Sequence, residues 1–332
     1  MTTKAFAAHR NEYDVTDSIV VTDVESVRAH VCELYLSSYG SNASLNLINQ
    51  AFTDFARLFR GDFAGYHACD TLYHDMQHTL DVTLTMARLL NGYEREHPLD
   101  PLGKDRFVLG CIIALFHDAG YIRRLDDHTA PNGAYYTLTH VSRGGDFLRH
   151  YLPTLGLGRY TELAAQLIHF TGYEMDIDEI EIPDAKDRIV GHLLGTADLI
   201  SQMADRCYLE KCRNRLYPEF VVCGLAGAKK KNGEDTSLFH RHGTLFESPE
   251  DLLKKTPDFF NHSVLHRLNR HFHRAYNYAR SHFGEENPYM DRIRRNINYL
   301  ETCGDDCDLE MKLRRKLPET NAEQAFPFEM VG

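Results

Sequence analysis

No stretch of this 332-residue chain approaches the ~20 continuous apolar residues that a membrane span requires, so no transmembrane segment is expected. The opening MTTKAFAAHRNEYDVTD lacks an apolar h-region, and no signal peptide is expected either. An excess of positive charge is also lacking. The formal net charge of −11 argues against a nucleic-acid polymer or an anionic membrane as the main partner. It leaves room for a small phosphate ester, because metals or arginines reverse the field locally inside a site. The eight cysteines form no spaced framework, so reduced thiols and a cytoplasmic location are expected rather than disulfides. Cys303 and Cys307 in CGDDC have no second pair to complete a metal site of that type. Strand-like alternation is scarce, and no internal repeat is visible.

Helical periodicity is what the sequence does have. With 43% apolar and 26% charged residues it has the composition of a globular protein, long enough for one large domain or two small ones. Helical spacing covers about 24–38, 43–60, 71–91, 104–118, 136–152, 159–170, 185–203, 205–219, 250–283 and 289–302, which predicts an all-α fold. Turn chemistry separates these stretches at 91–103, 126–133 and 156–158. The expected organisation is an N-terminal helical segment (1–65), a core (66–220), a C-terminal helical segment (221–303) and a loosely held tail (304–332). GAKKKNGEDTS at 227–237 reads as a polar loop.

Residues 72–82 read LYHDMQHTLDV. On a helix over 71–91, Tyr73, Met76, Leu80, Leu84 and Ala87 make the core-facing stripe, and His74, His78 and Asp81 make the stripe beside it. Two imidazoles four residues apart are a common way to present nitrogen ligands from a helix. In FVLGCIIALFHDAGY (107–121) a nearly all-apolar run leads into His117 and Asp118, with Gly120 as the stop. A carboxylate at the end of such a run costs several kcal/mol unless it is paired, protonated or bound to a metal. The same anomaly recurs with His140, which precedes the small residues Gly144 and Gly145, with His169 after the stripe of Leu163, Ala164, Leu167 and Ile168, and with Asp198 inside RIVGHLLGTADLISQM. Taken singly, each has a plain structural reading as a satisfied core or capping residue. Five helices each offering a histidine or aspartate from a core-like context point together to convergence on something cationic.

The order H…HD…H…H…D resembles the HD-domain metal-dependent phosphohydrolase superfamily. YHDMQHTLDV resembles the YHNxxHAxDV signature of class I cyclic nucleotide phosphodiesterases, and the resemblance spans about residues 66–220. The part after His117 is closer to bacterial HD and HD-GYP domains, whose second metal takes a histidine four before a glycine (His140 and Gly144 here) and a further histidine (His169 here). The resemblance implies an all-α helical bundle around a binuclear centre. It places His78, His117, Asp118 and Asp198 on one ion and Asp118, His140 and His169 on the other. It also implies His74 as general acid. Asp81 or another carboxylate is then a candidate for holding the His74 ring charged, and Tyr73 and Arg143 are candidate substrate contacts. Mixed imidazole and carboxylate ligands suit Zn, Mn, Fe, Co or Ni, with Mg at the carboxylate-rich end of the range.

The departures concern specificity. Asp75 stands where the signature has asparagine, Tyr121 stands where HD-GYP proteins have lysine, and the purine-holding glutamine of the cyclic nucleotide enzymes is not apparent after TADL. The function this implies is hydrolysis of a phosphodiester or phosphomonoester of a nucleotide-like substrate, by a chain that can also form oligomers. Two alternatives share the ligand order: a di-iron oxygenase activating dioxygen, and a degenerate HD domain that senses a ligand. Arg267, Arg270, His271 and Arg274 on the downstream amphipathic stretch (259–283) read as a solvated face, with a substrate-phosphate or partner contact as the alternative.

Overall fold

Helical spacing becomes helix almost wherever the sequence carries it. The computed structural model describes residues 10–227, 244–303 and 312–320. Among these, strand-type pairing is confined to isolated bridges such as Tyr13–Val20 and Tyr66–Arg124, and the fold is all-α. The polar loop after 227, Cys307 and most of the expected tail lie outside the described residues.

The helices are α1 (Val24–Tyr39), α2 (Asn46–Arg60), α3 (Met76–Glu96), α4 (Lys104–Phe116), α5 (His140–Thr154), α6 (Thr161–Leu167) and α7 (Ala185–Ala204). A short α8 (Tyr208–Lys211) runs through a π turn (Cys212–Leu216) into α9 (Tyr217–Val222). After the gap come α10 (Pro249–Phe259), α11 (Tyr278–Phe283) and α12 (Pro288–Cys303).

α3 is the axis of the bundle. It packs against α1, α4, α7 and α11, and it is buried on nearly every side from Gln77 to Tyr93. A helix surrounded in this way must satisfy its polar groups internally. Thr79, Thr83 and Thr85 do so by donating to carbonyls one turn back, and Arg88, 2% exposed, pairs with Asp14 at 2.8 Å and donates to the Tyr289 hydroxyl. Gly92 lets α11 cross closely, since a β-carbon there would meet the Tyr278 carbonyl oxygen at 1.9 Å.

α4 is wholly buried from Phe107 to Phe116. Each fully buried Leu, Ile or Phe contributes about 1.5–3 kcal/mol, so this helix can carry the several-kcal/mol cost of an acid at its end. One hydrophobic cluster, running from Val21 to Leu313, takes in side chains of the N-terminal, middle and C-terminal segments alike. Residues 312–320 are docked rather than loose: Asn11 donates to the Lys316 carbonyl, Arg213 to that of Leu313 and Arg215 to that of Pro318.

Two boundaries differ from the sequence expectation in ways that matter for the site. α3 starts at Met76 rather than 71, because Asp75 in an extended conformation caps it, its Oδ1 accepting from the His78 amide at 3.0 Å. The single helix expected over 250–283 is broken. It passes through two π turns and reverses at His273 and Arg274, whose φ values of 49° and 61° are left-handed.

Candidate metal centre

α4 stops one residue before His117, and that histidine bends back on the helix that delivers it. Its Nδ1 lies 2.8 Å from the Ala114 carbonyl. A carbonyl only accepts, so the proton sits on Nδ1 and the lone pair of Nε2 faces inward. His140, the first residue of α5, repeats the device, with Nδ1 2.7 Å from the Thr137 carbonyl.

The inward atoms meet. His117 Nε2 lies 3.2 Å from Asp118 Oδ2, and His78 Nε2 lies 3.4 Å from the same oxygen. Asp198 Oδ1 is 3.5 Å from His78 Nε2 and 3.8 Å from His117 Nε2. His140 Nε2 approaches the other oxygen of Asp118, at 3.8 Å. All but His140 belong to buried residues.

These spacings decide what the cluster is built for. His117 Nε2 and Asp118 Oδ2 are buried without a hydrogen-bond partner, so the groups point at a shared space rather than at one another. Ligand atoms held tetrahedrally at ~2.1 Å from one ion lie about 3.4 Å apart, which the observed 3.2–3.8 Å brackets. Of the described residues, His78, His117 and Asp118 form a group able to hold a metal, with ligand atoms all within 4.8 Å of one another, and Asp198 stands beside it. The donor set therefore fits a divalent transition metal.

The charge balance agrees. Burial pushes Asp118 up, but His117, His74 and His78 around it carry its carboxyl well below the usual range. Burial opposes charge on His117, yet Asp118 and Asp198 raise it to about 9. Two buried carboxylates thus demand positive charge at this point, from a proton or from a cation.

His74 stands beside the cluster but not on α3. It lies in the turn before Met76, its ring centroid 5.7 Å from that of His78. The expected pairing with Asp81 does not occur. His74 Nδ1 instead lies 2.5 Å from Oε2 of Glu219, a wholly buried residue of α9 whose Oε1 also accepts from the Tyr73 amide at 2.6 Å. Burial would lower the His74 pKa, but Glu219 outweighs it and the value is raised. Asp81 faces elsewhere, among Asp205, Asp14, Lys211 and Arg88, and is pushed up to about 8, mainly by burial. Because α3 begins at Met76, His74 and Asp81 do not share its face. Tyr121 lies flat against both His74 and His140, with ring centroids 4.3 Å away in each case, and its hydroxyl is 3.4 Å from His74 Nε2.

Three other expected site residues have the following surroundings. Tyr73, 4% exposed, packs behind His74 and His78 with its hydroxyl toward Gln202, so it supports the rings rather than lining a substrate path. Arg143 donates from Nε to the Gly120 carbonyl at 2.7 Å and lies over the Tyr136 ring, so it braces the turn after Asp118. That turn is tight: a β-carbon on Gly120 would meet the His140 carbonyl oxygen at 1.8 Å. His169 sits in the 3-10 turn after α6, its Nδ1 buried without a partner and with no ion pair to Asp118 among the described residues. The structure thus gathers His78, His117, Asp118, Asp198 and His140, and His169 makes no ion pair with Asp118 among the described residues.

Glu219 is the residue that the sequence reading missed. Its signal is an acid in the first turn of the otherwise apolar YPEFVV. No known protein-family model matches the chain, and no curated protein matches it.

Proposed function

We propose that the chain is a metal-dependent phosphohydrolase acting on a small phosphate ester of nucleotide type. The observation that carries this reading is the pairing of two arrangements side by side. One is the convergence of ligand atoms from His78, His117, Asp118 and Asp198, of which His117 Nε2 and Asp118 Oδ2 are buried without a hydrogen-bond partner, and the other is a half-buried histidine, His74, held by the buried carboxylate of Glu219.

His78, His117, Asp118 and Asp198 would hold a divalent cation, with His140 beside Asp118 as the start of a second position. When bound, such a cation acidifies water toward pH 7 and neutralises phosphoryl oxygens. The chain's own residues do the rest. Asp118, shared between the two histidine groups, balances the cationic charge. His74, held protonated by Glu219 and oriented by the face of Tyr121, donates its proton to the departing alkoxide. The buried walls from α3, α4 and α7 exclude bulk water and strengthen each of these interactions.

A charged imidazole next to the ligands serves a leaving alkoxide, whereas activation of dioxygen at a di-iron centre has no such use for it. This favours hydrolysis over the oxygenase reading. The deciding experiment is metal analysis of the purified protein, followed by phosphodiester and phosphomonoester assays on it. His117→Ala should lose both metal and turnover, while His74→Ala should keep its metal and lose about 10²–10⁴-fold in kcat. Turnover that consumes oxygen, or hydrolysis that survives His117→Ala, would remove the proposal.

A further inference from the structure

Apart from the candidate metal centre, a cavity of about 500 Å³ opens between the loop at 177–183, α7 and the reversal after α10. Its chemistry is cationic on one side and apolar on the other. Arg188, Arg270, His271 and His273 line it together with His192, and Ile177, Ile180, Ile182 and Pro183 face them. His192 is the telling residue. It is only 9% exposed yet lines the cavity, and its ring lies 5.1 Å from that of His273. A largely buried imidazole that lines a cavity beside a second imidazole and two arginines can donate to an anion there. The left-handed conformations at His273 and Arg274 hold the reversal in place, at a backbone cost that ordinary residues seldom bear.

We infer that this cavity is a binding site, distinct from the metal centre, for a small organic phosphate that carries an apolar group. Five cationic or protonatable side chains suit a dianionic phosphate, and a volume of about 500 Å³ exceeds what a bare anion fills. The isoleucine wall suits the apolar remainder. A metal fits less well: the ring nitrogens here do not form a converging ligand group as His78, His117 and Asp118 do, and the arginines repel cations.

The carboxylates on the rim do not cancel the site. Asp178, 83% exposed, is 3.3 Å from His271 and solvated, and Glu181 is likewise exposed. Burial, then His273, Arg188 and His271, hold His192 neutral down to about 4. A phosphate placed among these groups would reverse that pressure, so binding should be accompanied by proton uptake. The inference is independent of what the metal centre catalyses, because His192 lies about 9 Å along α7 from Asp198, nearly two turns away.

The test is NMR titration of the full-length protein, following the His192 ring signal, which is identified by its loss in His192→Phe. The probe is phenylphosphonate, whose carbon–phosphorus bond hydrolysis does not cleave, with inorganic phosphate in parallel. Phenylphosphonate should shift the signal and raise the pKa of the ring, and it should bind more tightly than inorganic phosphate. Arg270→Gln and Arg270→Glu, both at an exposed side chain, should weaken the response by about tenfold or more. Three results would overturn the inference: a His192 signal unmoved at concentrations of about 10 mM, a response unchanged by either substitution, or saturation by zinc in place of phosphate. Equal affinity for phosphate and phenylphosphonate would overturn the claim for an apolar ligand.

Discussion

Glu219 does more to define this site than any residue outside the ligand set. Its two oxygens take the amide of Tyr73 and the ring of His74, so one buried carboxylate fixes both the position and the charge of the candidate proton donor. Replacing it with glutamine keeps much of the shape and removes the charge. Burial then dominates, and His74 gives up its proton more readily. The sign follows: a general acid must be protonated, activity falls as pH rises through its pKa, and Glu219→Gln moves that fall to lower pH. The variant should retain its metal while losing at least about tenfold in kcat near neutral pH. A pH–rate profile recorded alongside metal analysis checks this, and an unshifted alkaline limb would show that Glu219 only supports the fold. The HD pair was legible from sequence because polar residues after an apolar run demand an explanation. Glu219 was not, because its partner lies 145 residues away and nothing in local spacing connects them.

At the scale of elements, the N-terminus of α3 carries the largest local stake. Asp75 accepts the His78 amide on one oxygen and Arg215 on the other at 3.1 Å, and both side chains are buried. This gives the aspartate at 75 a structural role: its carboxylate neutralises an arginine delivered by the π turn Cys212–Leu216. Losing one partner of a buried pair costs about 3–5 kcal/mol, against about 1 kcal/mol for a helix cap alone. Asp75→Ala should therefore lower stability by about 4 kcal/mol or more. Asp75→Asn keeps the cap and should lose about 1 kcal/mol less. Urea unfolding of the two variants separates the contributions, and an Asp75→Asn protein as stable as the parent would show that the pair contributes nothing net.

The same scale shows where legibility ends. Helix existence could be read because apolar spacing is a local property, and the predicted extents of α1, α7 and α12 agree with the observed ones to within about two residues. The break in the 250–283 stretch could not, because it is imposed from outside. Phe272, wholly buried, packs against Phe170 and crowds Gly195, and the chain reverses there to allow it. The docking of 312–320 on Arg213 and Arg215 is equally invisible to periodicity.

For the whole molecule, titratable groups outside the candidate ligand set contribute to the pH dependence of stability. His282, partly buried with Nδ1 donating to Asn91 Oδ1 at 2.8 Å, is lowered to about 3 by burial and by Arg88, Arg95 and His30. Its unfolded value is about 6.5. Between those limits the unfolded chain binds a proton that the folded chain refuses, so stability is present above about 6.5 and is lost as pH falls. The loss is at most about 1.4 kcal/mol per pH unit, and less for a ring that keeps some solvent contact. Asp81 works in the opposite direction. Raised to about 8, it stays protonated in the folded chain while the unfolded chain releases its proton above about 4, so it erodes stability as pH rises through the same window. His282→Gln should therefore flatten the decline in unfolding free energy between pH 6.5 and about 5. Asp81→Asn should steepen that decline and stabilise the protein near pH 8, where the buried acid is most costly. Denaturant titrations at several pH values decide both. If the two variants change the slope in the same direction, then these two groups do not hold the opposed charge states that their surroundings impose.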